Sequence, residues 1–153
     1  MLERWQGYVD VPGGRLWTEV AGSGPGIVLV HAGVADARMW DPQWTGLAAG
    51  HRVVRYDTRG FGRTETDDVE FSNRADLVAV MDTAGLASAV LVGSSRGGSI
   101  VLDTALEFPG RVAGGLTSRP GARAGNDKAG PRAGLDLAVL VAGRGFEPLT
   151  FGL

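Results

Sequence analysis

Ile27-Val28-Leu29-Val30 and Ala89-Val90-Leu91-Val92 are apolar at every position, and Val53-Val54-Arg55-Tyr56 departs from that pattern by one residue. A strand apolar on both faces belongs inside a parallel sheet covered by helices on either side. Each run leads into a glycine-punctuated loop. His31-Ala32-Gly33 follows the first, Asp57-Thr58-Arg59-Gly60-Phe61-Gly62-Arg63-Thr64 the second, and Gly93-Ser94-Ser95-Arg96-Gly97-Gly98 the third. Helical patterns fill the intervals. Asp41-Pro42, read as N-cap and first helical residue, opens a short helix with Trp44, Leu47 and Ala48 that stops at Gly50. Ser72 caps a second helix through about Ala84. Ile100, Val101, Thr104, Ala105 and Phe108 mark a third, closed by Pro109-Gly110 and followed by a strand from Val112 to Thr117.

Upstream, Tyr8 to Val11, the turn Pro12-Gly13-Gly14, and Arg15 to Ala21 with Leu16, Thr18 and Val20 alternating read as an antiparallel hairpin at a sheet edge. The order predicts an α/β fold, a mostly parallel sheet with helices on both faces and an N-terminal antiparallel hairpin. Such sheets place ligand chemistry at the carboxyl ends of their strands. His31, Asp57 and Ser95 all fall at such ends.

Charge names no partner. With 15 Lys+Arg against 17 Asp+Glu and a net charge of -2, no strong field exists for nucleic acid or an anionic membrane surface. No cysteine is present, which excludes a disulfide framework, a thiolate metal site and a cysteine nucleophile, and fits a cytoplasmic chain. Two histidines leave little for metal ligation. The start, Met1-Leu2-Glu3-Arg4-Trp5, lacks a basic flank before an apolar stretch, and no apolar run approaches the roughly 20 residues of a bilayer span. These features speak against nucleic acid, a membrane and a metal as partners.

Gly93-Ser94-Ser95-Arg96-Gly97 is a Gly-x-Ser-x-Gly pattern. A nucleophile elbow needs small residues two before and two after the serine, because a Cβ at either place would strike the neighbouring strand or helix. In a chain with 25 glycines the pattern alone is weak, but a buried strand directly before it and a helix directly after supply the required context. The bland alternative is that Ser94 or Ser95 merely caps the helix. An acyl-transfer site also needs donors aimed at an oxyanion: the backbone N–H of Arg96, at the start of the helix, and that of Gly33 on the loop after the first strand. His31, at a strand end, reads as a structural hydrogen-bonding residue rather than a base.

Together these segments resemble the α/β-hydrolases over about Tyr8 to Thr117. Leu29-Val30-His31-Ala32-Gly33 is similar to the family's oxyanion loop, Tyr56 to Gly62 to its Asp-x-Arg-Gly-x-Gly loop, and Val92 to Gly98 to its elbow. Ala32 stands where the family usually has glycine, and Ser94 where it commonly has histidine. The resemblance implies Ser95 as nucleophile, the amides of Gly33 and Arg96 as oxyanion hole, Gly93 and Gly97 as elbow glycines, and no cofactor. It implies structural roles for Asp57, Arg59 and Gly60. It also implies a small-molecule carbonyl substrate as partner and hydrolysis of a small ester, lactone or related carbonyl compound, since epoxide- and haloalkane-attacking members carry aspartate at the elbow.

In this family the acid and the histidine come after the serine. No histidine follows Ser95; His51 precedes its strand and belongs at the opposite end of the sheet, Asp103 belongs to the helix behind the elbow, and Asp136 has no family motif around it. The expectation is therefore a truncated domain over 1–117, impaired as a catalyst, with no general base found. The alternative is a non-catalytic remnant or a binding and oligomerisation module. From about Ser118 a Gly-, Ala- and Arg-rich tail (118–153) shows no periodicity except at Leu135 to Val141, and poor order is expected there. Gly145-Phe146-Glu147-Pro148 can be encoded by GGTTCGAACCC, which resembles a transfer-RNA T-arm and suggests a shifted reading frame. If Val112 to Thr117 is the last strand, its open edge invites self-association unless 135–141 covers it.

Overall fold

The computed structural model describes residues 3–118 and, as backbone, the strand 137–140. The chain runs β1 (Arg4–Val11), β2 (Gly14–Ala21), β3 (Gly26–Val30), α1 (Asp41–Ala48), β4 (Arg52–Tyr56), β5 (Glu65–Thr66), α2 (Asn73–Thr83), β6 (Ala89–Ser94), α3 (Arg96–Glu107), β7 (Val112–Ser118) and β8 (Leu137–Leu140). Two short 3-10 turns, Ala37–Trp40 and Pro109–Arg111, precede α1 and β7.

One sheet holds every strand, in the order β1-β2-β4-β3-β6-β7-β8, with β5 on β2. β3 is parallel to β4 and to β6, and β6 to β7. Chain order reverses at β3. It leaves β3 toward β4 on one side and returns across it to β6 on the other, so the carboxyl ends of β3 and β6 flank the switch point where such sheets bind ligands.

The all-apolar runs divide by alternation. Ile27 and Leu29 join Val53, Ala21 and Ala48 in a cluster under α1, while Val28 and Val30 join Val54, Leu91, Leu77, Val80, Met81, Ile100 and Val101 under α2 and α3. Both faces of β3 are buried, whereas β6, expected as a buried strand, buries Ala89 and Leu91 but leaves Val90 and Val92 half-buried on the other face. Arg55, the exception within β4, turns to the α1 face, where it donates to Glu19 at 2.5 Å and Asp41 at 2.6 Å and stacks on Trp44 at 4.4 Å.

The hairpin begins at Arg4, four residues before the expected start. It turns on Pro12-Gly13 with Gly13 at φ +70, a conformation that suits glycine in the third position of a type II turn. Gly14 belongs to β2. Trp40, and not Asp41, caps α1; Asp41 is its first residue. Ser72 caps α2 as expected, its hydroxyl accepting from the Ala75 amide at 3.2 Å. β6 continues through Gly93 and Ser94, which the sequence placed in the turn, and α3 starts at Arg96. Just beyond the expected Asp57–Thr64 loop, where the sequence marked no element, β5 adds a two-residue bridge to β2.

β8 lies antiparallel on β7, Gly115 opposite Leu140 and Ser118 opposite Leu137. The outer side of β7 is thus paired, by part of the segment the sequence singled out for that edge. The rest of the 118–153 tail, Asp136 included, lies outside the described residues. Among the described residues no helix is long and apolar enough to cross a membrane.

Candidate active site

Ser95 joins β6 to α3 with φ 51 and ψ -114, and among the described residues it is the one non-glycine at positive φ. A side chain is held in that region only where the surroundings impose it. What imposes it is contact on both sides. A Cβ on Gly97 would lie 2.2 Å from the Val30 carbonyl oxygen and 2.7 Å from that of His31, and one on Gly93 would lie 2.3 Å from the Gly97 carbonyl oxygen. The first turn of α3 therefore sits directly on the backbone at the end of β3. Ser95 makes no capping hydrogen bond from its side chain; its carbonyl accepts from the amides of Gly98 at 2.9 Å and Ser99 at 3.4 Å. Ser95 is thus the N-cap residue of α3 through its backbone, without a cap from its side chain.

Gly33 arrives at the same place from β3. A Cβ there would meet Cδ of Arg96 at 3.0 Å, so the loop after β3 lies against the residue following the serine. Among the described residues neither the Gly33 nor the Arg96 amide donates a backbone hydrogen bond. Arg96 is also the first residue of α3, whose leading amides have no intrahelical partner and carry the positive end of the helix dipole.

His31 is fully buried and committed at both ring nitrogens. The Thr58 amide donates to Nε2 at 3.0 Å, which makes Nε2 an acceptor and leaves the proton on Nδ1, which donates to the Ala32 carbonyl at 2.7 Å. Burial is the main cause that pushes its pKa below the ordinary 6.5, with the nearby Arg96 charge acting in the same sense against the Ala32 bond and Asp57. A neutral imidazole with no lone pair to spare ties the β3 loop to the β4 loop and cannot serve as a base. The second ring, His51, lies one residue ahead of β4 with Nδ1 3.2 Å from the Leu47 carbonyl oxygen, at the amino ends of the strands.

Asp57 is buried, and its two carboxylate oxygens accept from the Ala37 amide at 2.8 Å and the Arg63 amide at 2.9 Å. Arg59 forms a two-point ion pair with Asp76 on α2, at 2.8 and 2.9 Å, and donates to the Pro12 carbonyl at 2.8 Å, fastening hairpin, loop and helix. Gly60 has φ 89 and is exposed. These three residues hold loops. Asp103 lies on exposed α3 surface, in a groove with Arg96.

Sequence reasoning missed the Arg96 side chain and its neighbours. Nη1 of Arg96 donates to Thr58 Oγ1 at 3.1 Å, and the guanidinium carbon stands 5.2 Å from the Phe61 ring centroid. The signal was available: Thr58 and Phe61 stand in the same loop motif, at the carboxyl end of β4. What was not legible is that the loop folds back over β3 to meet α3.

Comparison with known proteins agrees with this fold. A family model described as "Alpha/beta hydrolase family" matches residues 27–152. The chain belongs to the alpha/beta hydrolase family. Among curated alpha/beta hydrolases it is 31% identical over 115 residues to a 2-hydroxy-6-oxononadienedioate/2-hydroxy-6-oxononatrienedioate hydrolase of Comamonas testosteroni, covering 70% of this chain and 40% of that protein. It is 32% identical over 123 residues to a zearalenone hydrolase of Cladophialophora bantiana, covering 74% and 46%. Among solved structures, the N-acyl homoserine lactone degrading enzyme Est816 superposes with a TM-score of 0.70 at 31% identity, covering 73% of this chain and 44% of that one. An epoxide hydrolase of Vigna radiata gives 0.68 at 28%, covering 75% and 38%. The chain thus spans less than half the length of these relatives.

Proposed function

We propose that this chain carries the nucleophile and oxyanion half of a serine hydrolase acting on small esters, lactones or related carbonyl compounds. The observation that carries the reading is the backbone of Ser95, held at φ 51 by glycines on both sides. Ser95 Oγ attacks the carbonyl carbon, and the amides of Gly33 and Arg96 receive the negative charge that develops on oxygen. Serine at this position favours carbonyl substrates over the epoxides named for some relatives, since ester exchange proceeds through an acyl-serine. The family resemblance brings no cofactor to this chemistry.

Both ring nitrogens of His31 are committed to Ala32 and Thr58, and His51 lies at the amino ends of the strands, so in this reading the serine proton passes to solvent. In serine proteases the loss of the triad histidine costs on the order of 10⁶ in turnover, and oxyanion contacts with binding leave about 10³ over water. Weak, serine-dependent turnover is the expected behaviour of these 153 residues. The commitment of both nitrogens of His31 favours a second reading, a module that binds the carbonyl compound without turnover. Hydrolysis of p-nitrophenyl acetate separates the two. A rate above buffer that disappears in Ser95→Ala supports the hydrolase reading, and equal rates for the two proteins support the module.

A further inference from the structure

Position 96 does two things in this fold. Its amide opens α3 beside the serine, and its side chain crosses to the Gly33 loop on one side and to Thr58 and Phe61 on the other. A guanidinium offers five N–H donors. Within the described residues, one of them meets a neutral hydroxyl and the flat face of the group looks toward an aromatic ring. No carboxylate stands within salt-bridge reach of it there, whereas Arg38 and Arg59 each hold one and Arg55 holds two.

Arg96 also lines a groove of about 370 Å³ between the start of α2 and the outer side of α3, with Phe71, Arg74, Ser99, Ile100 and Asp103. Arg74 is already paired with Glu107. Asp103, further along α3, repels an anion, while Phe71 and Ile100 suit a short hydrocarbon chain. Among the described residues that line this groove, Arg96 is the cation that holds no carboxylate, and it directly follows Ser95 in the chain.

We infer that Arg96 selects the substrate, by pairing its guanidinium with a carboxylate carried on the acyl part of the molecule that Ser95 attacks. The preferred substrate class is the half-ester of a small dicarboxylic acid, of succinate or glutarate size. The carboxylate supplies a partner for donors that the protein leaves to neutral contacts, and charge-assisted, two-point pairing is the geometry for which arginine is suited. This rests on the serine-hydrolase reading for its chemistry but not for its binding step.

The test compares two substrates that differ in charge and little in length, mono-p-nitrophenyl glutarate and p-nitrophenyl pentanoate. In each, a bond forms from Ser95 Oγ to the acyl carbon as the bond to the nitrophenyl oxygen breaks. The electron pair leaves on nitrophenolate and the serine proton goes to solvent. After correction for the buffer rates, the wild-type ratio of rate constants is expected to favour the anion by about tenfold or more. That ratio should fall toward one in Arg96→Met, be kept in part by Arg96→Lys, and decline in the wild type as salt is raised. A parallel measurement of Kd for monomethyl glutarate against methyl pentanoate, by ligand-observed NMR on Ser95→Ala, reads the same preference without acylation. A preference in binding with no acylation removes the nucleophile reading and leaves the role of Arg96 standing. Ratios near one for the wild type in the binding measurement, or a ratio unchanged by salt and by Arg96→Met in a variant that melts cooperatively, overturn it. If Arg96→Met does not fold, Arg96→Lys and the salt series decide by the same criteria.

Discussion

The α-carbon of Gly97 faces the carbonyl oxygen of Val30 so closely that a methyl group placed on it would sit 2.2 Å from that oxygen. Two backbones, the end of β3 and the first turn of α3, are in contact with no side chain between them, and the bend at Ser95 is the consequence. Gly97→Ala has to push α3 away from the sheet. Overpacking of this kind costs about 1–3 kcal/mol. Urea denaturation should show that loss, and a serine-dependent esterase rate should fall with it.

Relief of strain gives the opposite sign one step earlier in the chain. Ser95 occupies φ 51, where a side chain costs about 1–3 kcal/mol and glycine costs nothing. Ser95→Gly is expected to raise stability by about 1 kcal/mol, net of the extra freedom glycine gives the unfolded chain, while Ser95→Ala leaves the strain in place. Paired urea curves for the two variants check this.

Asp76 shows how removal of one partner acts on a buried pair. Its carboxylate and the Arg59 guanidinium are 5% and 2% exposed. Asp76→Asn leaves a buried cation without its anion, with an expected cost of about 3–5 kcal/mol. Because Arg59 also holds the Pro12 carbonyl, hydrogen exchange should rise in the β1-β2 hairpin as well as in α2.

His31 makes stability depend on pH in a definite direction. Burial holds its pKa in the folded chain below the ordinary 6.5, so the unfolded chain binds the proton first as pH falls. The contribution is complete above about pH 6.5 and is lost progressively below it, by about 1 kcal/mol per pH unit until the folded pKa is passed. Unfolding free energies at pH 7.5, 6.5 and 5.5 should trace that slope, and His31→Asn should flatten it.

The strands that place the site were legible because burial on both faces writes itself into consecutive residues, as in Ile27 to Val30; Ala89 to Val92 carries the same apolar run although Val90 and Val92 are only half-buried. The elbow was legible for a related reason: glycine at 93 and 97 reports a contact between backbones that any Cβ would force apart. Other features depend on partners distant in sequence. Glu65 pairs with Arg15 across 50 residues and thereby builds β5, and nothing in the local pattern of Glu65-Thr66 announces a strand. The extension of β6 through Ser94 has the same origin, since Gly93 and Ser94 pair with Thr117 and Ser118 on β7. At Arg96 the sequence pointed to the backbone N–H alone, and the side chain became informative when Gly33, Thr58 and Phe61 were brought around it.

The most direct test of the serine turn uses the commitment of both His31 nitrogens to Ala32 and Thr58. Acylation by p-nitrophenyl acetate expels a leaving group that needs no general acid, whereas the following hydrolysis needs an activated water, so acetyl-enzyme should accumulate. Intact mass and peptide mapping after incubation with p-nitrophenyl acetate are expected to find acetyl on Ser95, with none on that peptide in Ser95→Ala and much less in Gly97→Ala. Acetylation spread over other serines at a comparable rate, or a Ser95 peptide that stays unmodified while neighbours react, would contradict the placement of Ser95 before the amides of Gly33 and Arg96.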